Sequence, residues 1–370
     1  MGRRLPPCFA YTLLVATLAS SSCGPPDLEV ATSKHVILRW DRSVFQLCGG
    51  TPEHVDNTLE VIAGTYGVSL GSRPSITIFW LDPSVASEMC LPVNAIGCTR
   101  PQLNGTTMLF VPTPVYDHEL THAVRITGSR RSLPSFFHEG AAVRWEPGLS
   151  TFRFGGPKFT GNLDAELVRE LMAMRDIPDE YYNEAGFFWT WLEAEYGPEA
   201  MAAFASQIWK GASRERIEDA FENAFGTSIE QAVANSAGSP VLMFDILPCA
   251  MPSIPTVTWE GEPLVLSSGE ANCQDRDIVS YGTNATRFTR LELTESYEEF
   301  LLTVDGPMPS RFRLDRCTGS ARPYEGPVNI AAYLDDPRSE FLAGTYVATL
   351  TSPVEADGTI KFPRTVITQP

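Results

Sequence analysis

Two histidines four residues apart, His118 and His122 in the segment HELTH, place the strongest constraint on how this chain can fold. In an α-helix, side chains at positions i and i+4 lie one above the other on the same face, so both imidazoles can reach one ion. Pro114 precedes the segment and Gly128 follows it, which are suitable start and stop signals for a helix. The sequence therefore predicts a helix over residues 115–127 that carries both imidazoles on one face.

A metal site is the chemistry that this spacing favours. Imidazole nitrogens suit Zn²⁺, which accepts four-coordinate geometry. Glu119 adjoins His118, so its carboxylate would lie beside the ion, where it could accept a proton from water. The alternative is a solvated helix that carries two ordinary histidines.

A catalytic zinc needs a third protein ligand, and Glu139 in FFHEGAAVRWE is the candidate. Pro134 fits the first turn of a new helix, predicted over residues 135–146, and the intervening loop is short enough for an antiparallel helix pair. Gly140 allows the close approach that would bring Glu139 over the two histidines. His138 points about 100° away on the same helix and remains a rival ligand only if this segment is wound differently.

These residues resemble the gluzincin zinc peptidases, in particular the aminopeptidase branch and its bacterial relatives. In that family HExxH is followed by a helix that reads W-x-x-E-G-x-A-x-x-x-E, after a gap slightly longer than the 16 residues between His122 and Glu139. Phe136 stands at the Trp position and Glu146 at the second Glu. The resemblance implies a gluzincin-like catalytic domain with His118, His122 and Glu139 as zinc ligands and Glu119 as general base.

Two further roles follow from the resemblance. Residues 182–192 resemble the Tyr-containing, Gly-centred helix of such peptidases, which implies that Tyr182, or its neighbour Tyr181, stabilises the oxyanion; the alternative is an aromatic packing residue. Glu146 lies two helical turns after Glu139 on the same face. It either supports the site as an outer partner of the ligands or is a solvated helix-end residue.

The N-terminus has the pattern of an export signal. A short basic stretch precedes an apolar run over residues 9–19 that is too short to span a bilayer comfortably. Cys23 follows three serines and resembles the modified cysteine of a bacterial lipoprotein. The sequence predicts a signal over residues 1–23, a linker over 24–33, and a protein either lipid-anchored in the bacterial cell envelope or secreted, with membrane contact only through that anchor.

The six remaining cysteines indicate up to three disulfides, with about 15 connectivities allowed. Cys90 and Cys98 are close enough in sequence for a local closure and form the first predicted pair. A cysteine metal site is the alternative, although no CxxC spacing supports it.

Length and periodicity divide the chain of 370 residues into two domains. Strands and then helices over residues 34–245 predict an α+β catalytic domain, with a small N-terminal sheet and a helical bundle. Short alternating stretches over residues 250–370 predict a β-sandwich-like domain. The predicted N-terminal strands are 35–40, 75–81 and 107–111, the first helix is 52–66 with Thr51 as N-cap, and 82–104 is predicted to be a loop.

Composition and motifs narrow the function. The net charge of −17 excludes nucleic-acid binding and a polybasic membrane patch. No G-x-S-x-G elbow organises a serine triad. The leading hypothesis is an exported zinc peptidase that acts on a peptide or protein substrate. The alternatives are a cell-surface binding protein with a structural zinc site, and a zinc hydrolase acting on a non-peptide amide or ester. The G-x-M-E-N stretch of aminopeptidases is missing, so trimming from a free amine is not favoured.

Overall fold

The computed structural model describes residues 28–90, 97–129, 132–145, 163–237, 247–267, 269–296, 301–305, 311–317, 343–362 and 364–368. Within them the chain is a mixed α+β protein with a small N-terminal sheet, a helical region and later sheets. The predicted signal segment with Cys23, and also Glu146, lie outside the described residues. In the described part of the chain, no helix combines the length and apolarity needed to cross a membrane.

The helices are α1 (Thr51–Thr65), α2 (Pro83–Met89), α3 (Asp117–Ser129), α4 (Ser135–Val143), α5 (Ala165–Ala173), α6 (Tyr182–Gln207), α7 (Arg214–Phe225), α8 (Ile229–Ser236) and α9 (Leu247–Ala250). The strands are β1 (Glu29–Thr32), β2 (Val36–Trp40), β3 (Ile76–Trp80), β4 (Cys98–Pro101), β5 (Thr107–Val111), β6 (Thr256–Trp259), β7 (Leu264–Ser267), β8 (Glu270–Asn272), β9 (Ile278–Tyr281), β10 (Asn284–Leu293), β11 (Leu301–Asp305), β12 (Arg311–Cys317), β13 (Gly344–Pro353), β14 (Thr359–Lys361) and β15 (Arg364–Thr368).

The N-terminal sheet positions the helix that carries the two histidines. Its strand order is β1-β2-β3-β5-β4, with β2, β3 and β5 parallel and the two edge strands antiparallel to their neighbours. Alternate residues of β3 and β5, such as Ile78 and Leu109, join the main core with α1 and α3 on one face. Phe79 and Phe110 point to the other face, where they pack with Ala86 of α2.

The predicted loop over residues 82–104 is wrong in two places, because it contains α2 and β4. Helix α2 begins after Asp82, whose carboxylate accepts a hydrogen bond from the Ser84 amide and caps the helix. Strand β4 forms because a turn around Gly105, whose φ is +82°, returns the chain to pair with β5.

Two smaller N-terminal predictions also need correction. The predicted linker over residues 24–33 contains β1, which pairs antiparallel with β2. Thr51 is the first residue of α1, and Gly50 occupies the N-cap position. Helical periodicity in the sequence also predicts two separate helices over residues 184–196 and 198–209. The break between them is confirmed, since Gly197 inside α6 has a φ of +81° and Pro198 follows it.

The C-terminal region consists of β-strands in three small sheets. One sheet has the order β12-β13-β10-β6, with β9 also paired to β10; the others are β11-β15-β7 and β14-β8. Among the short alternating stretches of this region, residues 287–293 and 346–350 are predicted from the sequence to be strands. Both lie within observed strands, β10 and β13, which pair along ten residues each. The later sheets agree with the predicted β-rich region.

Three disulfides join the described parts of the chain, and one of them crosses between its two regions. They connect Cys48 with Cys273, Cys90 with Cys98, and Cys249 with Cys317. The second matches the local closure predicted from sequence. Disulfides on this scale are typical of proteins in an oxidising, extracellular environment.

Contacts around the Cys48–Cys273 bridge fix the two regions against each other. The Gly49 amide donates to the Cys273 carbonyl at 2.7 Å, and the Cys48 amide donates to the Ser280 hydroxyl at 2.7 Å. A Cβ atom on Gly49 would lie 2.5 Å from the carbonyl oxygen of Gln274, so glycine is required by this close approach. The helical N-terminal region and the β-rich region therefore share a tight covalent and hydrogen-bonded seam.

Candidate metal centre

Helix α3 presents His118 and His122 on one face, as the four-residue spacing predicts. Their Nε2 atoms are 3.0 Å apart, and the two rings stand nearly perpendicular at 89°. Both residues are buried, each 7% exposed. The two imidazole nitrogens converge on one point and are buried. They can therefore act as metal ligands, and the alternative of two histidines on a solvated helix surface does not hold.

Helix α4 adds a carboxylate to the same place. Glu139 Oε2 lies 3.2 Å from His118 Nε2 and 3.4 Å from His122 Nε2. Among the described residues, this is the one group of at least three potential ligands whose atoms converge closely enough to hold a metal ion.

The triangle formed by these three atoms fits a metal. At the bond lengths of about 2.0–2.1 Å that nitrogen and carboxylate ligands make to zinc, two corners of a tetrahedron are roughly 3.3 Å apart. The observed edges of 3.0, 3.2 and 3.4 Å agree with that separation. Glu139 Oε2 is also buried without a well-directed hydrogen bond, as expected for an atom whose partner is an ion. The group could therefore bind a metal ion.

The electrostatics of Glu139 favour its charged, ligating form. Burial by itself raises the pKa of this carboxyl, but the charge of His122 and the close approach of both imidazoles outweigh burial and hold the pKa well below its usual range. Glu139 is consequently ionised in the metal-free site, as a carboxylate ligand must be, and a metal ion that binds there would displace any proton on the imidazoles.

The packing of α4 against α6 places Glu139 over α3. A Cβ atom on Gly140 would lie 2.5 Å from the carbonyl oxygen of Ala185, and a Cβ atom on Gly186 would collide with the side chain of Val143. Two glycines thus allow the backbones of α4 and α6 to touch. This contact sets the depth at which Glu139, the neighbour of Gly140, enters the site.

Glu119 follows His118 directly on α3 and is 6% exposed. Its Oε2 accepts a hydrogen bond of 2.7 Å from the Thr99 hydroxyl. The sequence prediction placed Thr99 in a loop and gave it no role. The Asn104-Gly105 pair, a common hairpin turn ahead of the β-rich stretch 107–111, was the signal that could have identified the strand carrying it.

Of the two tyrosines proposed from the sequence, Tyr182 is the one whose ring reaches the site. Its ring lies parallel to that of His118, 11° between planes with centroids 6.1 Å apart. Burial raises its pKa, and so do the charge of Glu139 and the interaction of its hydroxyl with that carboxylate. The phenol consequently stays protonated and can donate a hydrogen bond. Tyr181 ends a 3₁₀ turn, and both tyrosines pack against the main core.

His138 does not join the ligand atoms. Its ring stacks on that of His122, 29° between planes with centroids 4.0 Å apart, and it lies outside the converging group. Burial lowers its pKa well below the usual value, so it packs as a neutral ring. Glu139 rather than His138 is thus the third potential ligand.

Comparisons with known proteins do not identify this site. The chain matches no protein-family model and no curated protein. A functional assignment for this chain therefore depends on its own residues and their geometry.

Proposed function

We propose that this chain is an exported zinc peptidase of the gluzincin type. The observation that carries the proposal is that Glu119, a buried carboxylate, directly follows His118, a member of the three-donor group, on helix α3. A zinc site that only stabilises the fold is usually closed by four protein ligands and has no use for such a carboxylate. Hydrolysis requires both a general base and a vacant ligand position.

The donor set supports zinc as the metal. His118, His122 and Glu139 would hold the ion through two nitrogens and one oxygen, a combination found in catalytic zinc sites. When bound there, zinc supplies Lewis-acid activation of water and of the scissile carbonyl.

The chain's own residues would move the protons. Glu119 accepts a proton from the attacking water and passes it to the nitrogen of the leaving amine. Tyr182, whose raised pKa keeps its hydroxyl protonated, donates a hydrogen bond to the oxygen of the scissile carbonyl as negative charge develops there.

The location and substrate belong to the same proposal. Three disulfides support export, because such bonds persist in oxidising compartments. We assign residues 1–23 to the signal, Cys23 to lipidation, 34–245 to the peptidase domain and 250–370 to a β-rich domain attached to it. A peptide or a protein is the proposed substrate.

The test combines metal analysis with a broad peptide-library assay on the full chain and on Glu119→Gln. We expect about one zinc per chain in both proteins, cleavage by the wild type, and a loss of turnover of about 10²–10⁴-fold in the variant. Glu88→Gln, on the exposed face of α2, makes the same change of charge and is expected to retain activity. Chelation should abolish cleavage, and added zinc should restore it.

Other outcomes would favour the alternatives. A wild-type chain without zinc would overturn the peptidase and the structural-zinc hypotheses together. Zinc without cleavage of any peptide would contradict the peptidase assignment. A parallel assay with ester and non-peptide amide substrates would then identify the other zinc hydrolase by their hydrolysis, and no hydrolysis would favour the binding protein.

A further inference from the structure

The edge strand β4 lies against the side chain of Glu119. Thr99 on β4 is paired directly with Leu109 on β5, and paired residues on antiparallel strands point to the same face. Leu109 belongs to the core that contains Leu120 of α3. The Thr99 side chain therefore faces the helix that carries the candidate base.

Two contacts restrict the Glu119 side chain from this strand. The Thr99 hydroxyl donates to Glu119 Oε2 at 2.7 Å, and the Glu119 carbonyl oxygen lies farther from it, at 3.1 Å. Just before the strand, a Cβ atom on Gly97 would lie 3.1 Å from Glu119 Cγ and 3.0 Å from the Tyr116 ring. The carboxylate is thus held at one oxygen by a hydrogen bond and along its stem by backbone packing.

The opposite face of β4 is fixed by a covalent bond. Cys98 is paired with Phe110, in the small core on the α2 side, and its sulfur is bonded to Cys90 at the end of α2. An edge strand has a neighbour on one side only, so its position is less constrained than that of an inner strand. The disulfide supplies the missing constraint one residue from Thr99.

We propose that Thr99 is a positioning residue for Glu119, and that the Cys90–Cys98 disulfide keeps Thr99 in place. This inference rests on the proposed function, in which Glu119 is the general base. Since Thr99 engages Oε2, Oε1 is the oxygen that takes the proton from water. Without the hydroxyl, the carboxylate can rotate away from the direction of proton transfer, which slows the chemical step and leaves substrate binding intact.

The first test is kinetic and uses the best-cleaved peptide from the library. Thr99→Val keeps the β-branched shape and removes the donor, and we expect kcat to fall about 10- to 100-fold, with KM and zinc content unchanged. Thr99→Ser restores the hydroxyl and should recover most of kcat. Thr107→Val is the matched control on β5, because it removes a partly buried hydrogen bond between Thr107 and Thr127 and leaves the contacts of Glu119 unchanged.

The second test does not depend on activity. Crystal structures of the wild type and of Thr99→Val should show the Glu119 carboxylate ordered in the first and displaced or in several conformers in the second. An unmoved carboxylate, or an unchanged kcat in Thr99→Val, would overturn the inference. If the wild type cleaves nothing, the proposed function fails, while the crystal structures still decide whether Thr99 holds Glu119.

The contribution of the disulfide has its own variants. Cys90→Ser combined with Cys98→Ser should lower kcat by about 3- to 10-fold with zinc retained. Cys249→Ser combined with Cys317→Ser removes a bridge outside the N-terminal sheet and should leave kcat unchanged. Equal effects of the two pairs on kcat would contradict a specific role for the Cys90–Cys98 bond.

Discussion

The N-terminal α+β region places most of its buried apolar residues in one large core, with a small second cluster beside α2, whereas the β-rich region divides most of its buried apolar residues between two small clusters. One of those clusters includes the bridge between Cys48 and Cys273, and the other contains Trp259 and Tyr346. A large core can fix a set of ligands through packing alone. A small core contributes less to the free energy of folding, so disulfides account for a larger share of it, as in small exported domains.

The largest expected effect comes from removing the bridge between the two regions. The chain-entropy model assigns about 5 kcal/mol to a disulfide that closes the 225-residue separation of Cys48 and Cys273, and about 2.5 kcal/mol to the 8-residue separation of Cys90 and Cys98. Replacing the first pair by serine should therefore lower the free energy of unfolding about twice as much as replacing the second. Urea unfolding of both double variants measures this difference. A larger loss from the local pair would contradict the contrast between the regions.

A medium effect is expected where α4 touches α6 in the larger core. Gly140→Ala forces a methyl group against the Ala185 carbonyl, so it should cost about 2–3 kcal/mol in the free energy of unfolding. It should also weaken zinc binding about 10-fold, because it displaces Glu139.

The matched control is Gly64→Ala in α1, where an added Cβ meets nothing within 4 Å. This change should raise stability by about 0.5–1 kcal/mol. Thermal unfolding and zinc titration measure both variants. A Gly140→Ala protein as stable as Gly64→Ala would show that the helix contact is looser than the structure has it.

The smallest effect is a loss of the free energy of unfolding at low pH, and it is expected from His54, which lies where the two regions meet. His54 stacks on Phe288 at 5.0 Å between ring centroids, and burial lowers its pKa from 6.5 to about 4. The folded state binds the proton of His54 more weakly than the unfolded state does. The contribution of neutral His54 to the free energy of unfolding is therefore fully present above pH 6.5 and is lost as the pH falls toward 4. Between pH 7.5 and 5 the loss should be about 2 kcal/mol.

The variant His54→Phe keeps an aromatic ring against Phe288 and cannot titrate. Its free energy of unfolding in urea should therefore decline less between pH 7.5 and 5 than that of the wild type, by the same amount. Parallel pH profiles for the two proteins would contradict a neutral His54 in the folded state.

Sequence patterns predicted the parts of this molecule that depend on local spacing. The i and i+4 spacing of His118 and His122 requires only helical periodicity, and the position of Glu139 follows from a second short helix after a short loop. The close helix contact at Gly140 and the break at Gly197 could both be predicted, because glycine has no side chain and adopts positive φ angles easily.

The features that were missed depend on pairing between distant segments. Strand β4 is four residues long and depends on its pairing with β5. It is too short to show the alternation of polar and apolar residues that predicts a strand, so the sequence did not place Thr99 on one. The partner of Cys48 could not be predicted either, since every pairing of the six cysteines satisfies the same count. The stacking of Tyr182 on His118 likewise depends on where the start of α6 lies relative to α3 and not on a local pattern.

The distance along the chain between Cys48 and Cys273 has a consequence for biosynthesis. While the first two thirds of the polypeptide emerges, the sulfur of Cys48 has no correct partner, although Cys90 and Cys98 are already available to it. Early oxidation between Cys90 and Cys98 removes these two competitors, so that Cys48 stays reduced until the later cysteines, Cys249 and then Cys273, are synthesised. The order in which the cysteines are synthesised thus favours maturation from the candidate metal centre outward.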